Sequence, residues 1–131
     1  MPIRAQWDNP EKTVVTVIYT DAWTWDEYYA ATKEAKLLME TVPHRVDVIA
    51  DMVKGKFPTQ GPAIAAAQNV LRSWPDNFGC LVIVSSGFIQ ALVSIFKQIE
   101  RKFGPHVHSA RTVAEAQAII QRERTRQGIV V

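Results

Sequence analysis

Residues 13–29 read Thr13-Val14-Val15-Thr16-Val17-Ile18-Tyr19-Thr20-Asp21-Ala22-Trp23-Thr24-Trp25-Asp26-Glu27-Tyr28-Tyr29. The first eight are β-branched or aromatic almost throughout, the composition of a central strand buried on both faces. Thr24 and Glu27 stand three apart, the spacing of a capping box. The Thr hydroxyl accepts the backbone N–H three residues on, and the Glu carboxylate reaches back. Asp26 and Glu27 also suit the positive end of a helix. A buried strand that feeds a helix within four residues is the unit of an α/β fold.

The pattern repeats outward. Ile3 to Asp8 is a short strand, and Asn9-Pro10-Glu11-Lys12 is a turn, so the first two strands are expected to form an antiparallel hairpin. The first helix presents Trp25, Tyr28, Thr32, Ala35, Met39 and Val42 at spacings of three and four, and Pro43 ends it. Arg45 to Met52 is a second buried strand, followed by a loop from Val53 to Gly61. A helix from Pro62 to Ser73 packs through Ile64, Ala67 and Leu71, with Val70 beside them. Gly79 to Val84 is a strand, Phe88 to Phe103 a helix, and His106 to Ser109 a short strand. Thr112 and Glu115 form a second capping box that opens a last helix to about Arg124.

This order, β-β-α-β-α-β-α-β-α, predicts a single α/β domain over residues 1–131. It has a mostly parallel five-stranded sheet, an antiparallel N-terminal edge strand and four main helices. A chain of 131 residues with 47% hydrophobic side chains can bury a core of that size. Its apolar runs are too short to span a bilayer, and residues 1–12 lack the apolar region of a signal peptide. The one cysteine, Cys80, lies in the apolar run Cys80-Leu81-Val82-Ile83-Val84 and reads as a buried structural thiol. A cytoplasmic location is expected. A net charge of +2 does not point to nucleic acid. Residues 66–131 nonetheless carry 8 basic against 4 acidic side chains. Arg122, Arg124 and Arg126 read as a solvated helix end complementing the helix dipole.

In a parallel sheet the loops after successive strands emerge at one edge, the usual place for a ligand. Here that edge gathers Asp21–Trp25, Asp51–Gly61, Ser85–Gly87 and Ser109–Thr112. The candidate contact residues are Trp23, Asp51, Lys54, Lys56, Phe57, Thr59 and Ser86. Trp23, Trp25 and Phe57 could wall a pocket for a small apolar group, with Lys54 and Lys56 meeting an anionic one. Asp51 fits an acid, a base or a metal ligand, and equally a tie to backbone N–H groups. Ser86 fits an N-cap. Gly55-Lys56 is not a phosphate loop, because Phe57-Pro58 follows and the earlier glycine is missing. Ser85-Ser86-Gly87-Phe88 lacks the pattern of a nucleophile elbow. His44, His106 and His108 are too few and too scattered for a metal site. No metal, cofactor or catalytic set is expected. On the third helix, Phe88, Leu92, Ile95, Ile99 and Phe103 form the expected core stripe. Ile89, Val93 and Phe96 form a second apolar row, expected to meet a neighbouring helix or a second subunit in a homodimer.

The segments Asp21–Tyr29, Val46-Asp47-Val48-Ile49-Ala50-Asp51-Met52 and Pro75-Asp76-Asn77 resemble the STAS-like group (sulfate transporter and anti-sigma-factor antagonist domains). More narrowly they resemble small bacterial STAS/CRAL-TRIO-related proteins. The resemblance implies a β/α superhelix and a non-enzymatic protein-interaction or ligand-sensing role. In the anti-sigma-factor antagonists an Asp-Ser pair before the second helix carries the phosphorylated serine. The matching place here reads Phe57-Pro58-Thr59-Gln60-Gly61, with no Asp-Ser and only Thr59 as a nearby hydroxyl.

Overall fold

The structure is a computed structural model, and it describes residues 2–58 and 60–128. Thr59, one of the candidate contact residues, therefore lies outside the described residues. The elements are β1 (Ile3–Trp7), β2 (Val14–Ala22), α1 (Trp25–Glu40), β3 (Val46–Lys56), α2 (Ala63–Ser73), β4 (Phe78–Val84), α3 (Phe88–Ile99), β5 (Val107–Ala110) and α4 (Val113–Arg126). The five strands lie in chain order, with β1 antiparallel to β2 and every later pair parallel. This is the expected α/β architecture.

Strand alternation separates two cores. Val15, Val17 and Tyr19 of β2, with Val46, Val48 and Ala50 of β3, face α1, α2 and α3. Val14, Ile49, Cys80, Val82 and Val84 face α4, which covers the other side alone. Three successive crossovers thus fall on one face, as strands laid down in order require. Burial pushes the Cys80 thiol up to about 12, helped by the Asp47 carboxylate, so it stays a neutral, inert thiol.

The amino ends of the strands are fastened by a polar network. Asp47 is fully buried. Its carboxylate accepts from Arg45 Nε at 2.9 Å, from the Cys80 backbone N–H at 2.9 Å and from Arg124 Nε at 2.7 Å. Arg124 Nη2 also donates to the Thr13 carbonyl at 3.0 Å. Arg124 is therefore not a solvated helix-end cation, because it pins α4 to the strand starts with 4% of its surface exposed. The Asn77 side-chain amide donates to the carbonyls of Met39, Val42 and His44, tying the end of α1 to the start of β4.

α3 departs from expectation in length and in facing. It ends at Ile99, because the buried Glu100 carboxylate takes the Lys102 N–H at 3.0 Å and turns the chain. Val93 and Phe96 are buried, each 5% exposed, and Ile89 packs beside them against the sheet side of the core. Phe88, Ile95 and Ile99 instead reach 67%, 44% and 57% exposure. Ile89, Val93 and Phe96 are thus the core stripe and not a free interface. Both rows have helical spacing, so periodicity alone could not choose between them; the approach of α3 onto β5 does. His106 falls in a 3₁₀ turn over Gly104–His106, not on the strand with His108.

Candidate functional site

The site grows from an extension of two strands. β3 does not stop at Met52 but continues to Lys56, and β2 continues to Ala22 beside it. The pairing Ile18↔Asp51 is followed by Thr20↔Lys54, so β3 carries one extra residue there, a bulge that bends the ribbon. Pairing of β3 with β4 ends at Asp51↔Val84. The β2–β3 ribbon therefore overhangs the carboxyl edge of the sheet. The stretch read as a nine-residue loop is half strand, and the true connection to α2 is shorter.

Trp23 sits where this ribbon meets α1. It is 5% exposed and belongs to the core. Its ring lies 5.3 Å from Tyr19, 5.2 Å edge-on to Trp25, 5.8 Å stacked on Tyr28 and 5.2 Å edge-on to Phe57. Phe57 in turn meets Phe88 at 6.1 Å. Such offset and edge contacts each add to the area buried. The close approach requires Gly55, since a β-carbon there would press on Tyr19 and the Trp23 indole. The predicted capping box is formed: Thr24 Oγ1 accepts the Glu27 N–H at 3.2 Å, and Glu27 Oε1 accepts the Thr24 N–H at 3.0 Å. It fixes the start of α1 and so the position of Trp25. Trp25 Nε1 donates to the Gln60 carbonyl at 2.9 Å and straps the connection to α2. Gly61, at φ +120°, permits that strap, because any side chain there would collide with the Trp25 indole.

Beneath this aromatic group, between the sheet and α1, α2 and α3, is a cavity of about 90 Å³. Val17, Val48 and Ala50 form part of its floor, and Ala63 and Ala67 of α2 part of its roof. Trp25, Phe57 and Ile89, all part-exposed, stand where it approaches the surface. Its walls are apolar except for two phenols, the indole N–H groups of Trp23, Trp25 and Trp74, and the Thr32 hydroxyl. That hydroxyl is already committed to the Tyr28 carbonyl at 2.9 Å. Burial raises the pKa of Tyr19 and of Tyr28; Tyr28 raises that of Tyr19 further and Tyr29 that of Tyr28, so both remain neutral. An engineered apolar cavity of ~150 Å³ in another protein stays dry and takes benzene. A space of this size and lining suits a small apolar group better than ordered water.

The sequence-derived candidates divide accordingly. Trp23 and Phe57 are brought together on the cavity wall, and Ile89, Val93 and Phe96 line the same cavity. Lys54 and Lys56 are exposed, and because Gly55 between them faces Trp23, alternation turns both lysines to the opposite face of the ribbon. Asp51 accepts the Val53 N–H at 3.2 Å, the backbone tie among its possible roles. Ser86 is exposed and does not cap α3; Gly87 takes the cap position, with no side-chain hydrogen bond. Tyr19, Tyr28 and the alanines of α2 were missed. Tyr19 and Tyr28 carry strand and helix periodicity and read simply as core, and nothing in the sequence marks Ala63 and Ala67 as the roof of a void.

A second, polar groove runs between α3 and α4 along β5, lined in part by Lys97, His108, Arg122, Glu123 and Arg126. His108 Nε2 lies 3.1 Å from Glu123 Oε1. Burial, then the nearby Lys97 charge, lowers the His108 pKa. Burial works to raise that of Glu123, but the hydrogen bond and charge of Arg126, with His108, bring it down overall. Among the described residues no group of three or more His, Cys, Asp or Glu side chains could hold a metal ion. No described helix is long and apolar enough to cross a membrane. The sequence matches no protein-family model and no curated protein.

Proposed function

We propose that this protein binds a small, largely apolar ligand in the cavity beneath the Trp23–Phe57 aromatic group. The observation that carries the reading is the cavity itself, about 90 Å³ of apolar space opening beside the carboxyl edge of a mostly parallel sheet. That edge is where ligands of such folds are commonly held. A sensing role without chemistry, as the STAS-like resemblance implies, fits a site whose wall offers neutral phenols and hydrocarbon. The test is native mass spectrometry of freshly purified protein, joined to thermal melts in toluene. A retained mass, or a Tm that climbs with toluene concentration as ligand linkage requires, supports the reading. A clean apo mass with no toluene shift up to aqueous saturation sinks it.

A second reading, a protein-interaction module that pairs with itself or with another chain, is favoured by one observation. Phe88, Ile95 and Ile99 expose an apolar row along α3. Sedimentation at high micromolar concentration tests self-association. A dimer that Ile95→Glu dissociates supports it, and a monomer throughout rules out the homodimer.

A further inference from the structure

β5 is the last strand of the sheet, so among the described residues one of its edges has no strand beside it. In a parallel pair, alternate residues turn their backbone groups toward the neighbour. The Ala110 carbonyl accepts the Ser85 N–H at 3.0 Å, so Ala110 and, two residues earlier, His108 serve the β4 side. Val107 and Ser109 face outward. The Val107 N–H is taken by the Gly104 carbonyl. The Val107 carbonyl and both backbone groups of Ser109 have no strand to meet. An open edge of this kind is a template for another chain.

The surroundings restrict which chain. α3 and α4 lie on opposite faces of the sheet, so the polar groove lined by both lies beyond β5, as a continuation of the sheet layer. A single added strand fits that space, with α3 over one face and α4 over the other. Three exposed cations stand along it, Lys97 on α3 with Arg122 and Arg126 on α4. The one carboxylate among its lining residues, Glu123, is buried and already takes Arg126 Nη2. Arg122 and Arg126 are about one helical turn apart, roughly 6 Å along the axis. Side chains two apart on a strand are spaced about 6.6 Å. A strand in the groove can therefore set alternate side chains against the two arginines and the residue between them toward Lys97. A second copy of this chain would bring its own α3 and α4, cations included, against the same set, and like charges at an edge keep copies apart.

We propose that the free edge of β5 takes up an extended acidic segment of a partner protein as a sixth strand, its backbone paired with Val107 and Ser109 and its carboxylates set against Lys97, Arg122 and Arg126. In strand addition the main-chain bonds supply affinity and the alternating side chains supply specificity. This surface is separate from the cavity and does not rest on a ligand there.

The probe is a fluorescein-labelled peptide, Thr-Val-Glu-Asp-Glu-Val-Thr-amide, read by anisotropy at low salt, where exposed charge pairs are least screened. Wild-type protein should bind it, and hydrogen exchange at the Ser109 amide, followed by NMR, should slow in the complex. Lys97→Glu with Arg122→Glu should weaken binding about tenfold. Both residues are exposed, so the fold is kept. Ser109→Pro removes the outward N–H but leaves the β4 side of the strand intact, and should weaken binding about three- to tenfold. The same peptide N-methylated at alternate amides keeps its charge and should lose binding equally; it carries the backbone test if circular dichroism shows that Ser109→Pro does not fold. No binding up to about 1 mM peptide overturns the proposal. So does equal binding of the Thr-Val-Lys-Lys-Lys-Val-Thr peptide. An N-methylated peptide or an oligouridylate that binds as tightly as the parent reduces the site to a charged groove and overturns strand addition. A dimer in sedimentation that Ser109→Pro dissociates assigns the edge to a second copy and overturns the acidic partner.

Discussion

Replacing Asp47 with alanine is expected to be the most damaging single change at the amino ends of the strands. Asp47 is 0% exposed, and Arg124, which donates to it at 2.7 Å, is 4% exposed. Truncation leaves a buried guanidinium with only carbonyl partners and frees the Cys80 N–H. Breaking a buried pair from one side costs ~3–5 kcal/mol, since the surviving charge keeps its desolvation penalty. At about 2.1 cal/mol/K per residue, 131 residues give an unfolding entropy of about 0.28 kcal/mol/K. The melting temperature should then fall by roughly 11–18 °C. Adding Arg124→Met removes the stranded charge, so the double variant should be more stable than the two single losses added together, by about 1–3 kcal/mol. Urea unfolding of all four proteins at pH 7 measures the cycle. A loss under about 1 kcal/mol for Asp47→Ala, or losses that add within about 0.5 kcal/mol, would refute the account of the network as a coupled unit.

Three further outcomes are expected. Gly61→Ala should lower stability by about 1–3 kcal/mol, through strain at φ +120° and displacement of the Trp25 strap; a red shift of tryptophan emission in the folded variant should accompany it. Ile95→Glu should change stability by no more than about 0.5 kcal/mol in the monomer, whereas Phe96→Glu should abolish folding at 37 °C, as circular dichroism will show. Because the His108 pKa is lowered on folding, the unfolded chain takes up the proton first, and stability should fall as pH drops through about 6.5 toward the folded value. His108→Gln should flatten that slope in urea midpoints measured between pH 7 and 5, and an unchanged slope would contradict the assignment.

How much of this was legible in sequence depends on what each residue's role requires. The capping box at Thr24–Glu27 and the β-branched run of β2 are local, so they could be read directly. The extension of β3 to Lys56 was not. Val53-Lys54-Gly55-Lys56 has the composition of a loop, and it is strand only because Thr20–Ala22 of β2 runs alongside. The facing of α3 was ambiguous for the same kind of reason: two apolar rows fit one helix, and tertiary contact selects Ile89, Val93 and Phe96. Arg124 looked like any other helix-end cation, because its partner Asp47 lies 77 residues away and was read only as part of a strand. The charge pattern names the helix end; burial is decided elsewhere.

The cavity has the same origin, and that bears on whether it is a packing accident. Its mouth is built from large side chains that each need a specific permission. Trp23 needs Gly55, and the Trp25 strap needs Gly61. Its roof, by contrast, is built from Ala63 and Ala67, which stop short of the floor. A core under selection for density alone would enlarge those alanines, since filling a void is among the easier routes to stability. The small roof and the strapped aromatic mouth are two separate departures from the most stable packing. Both fall on one 90 Å³ space, and departures of this kind gather where a fold trades stability for function.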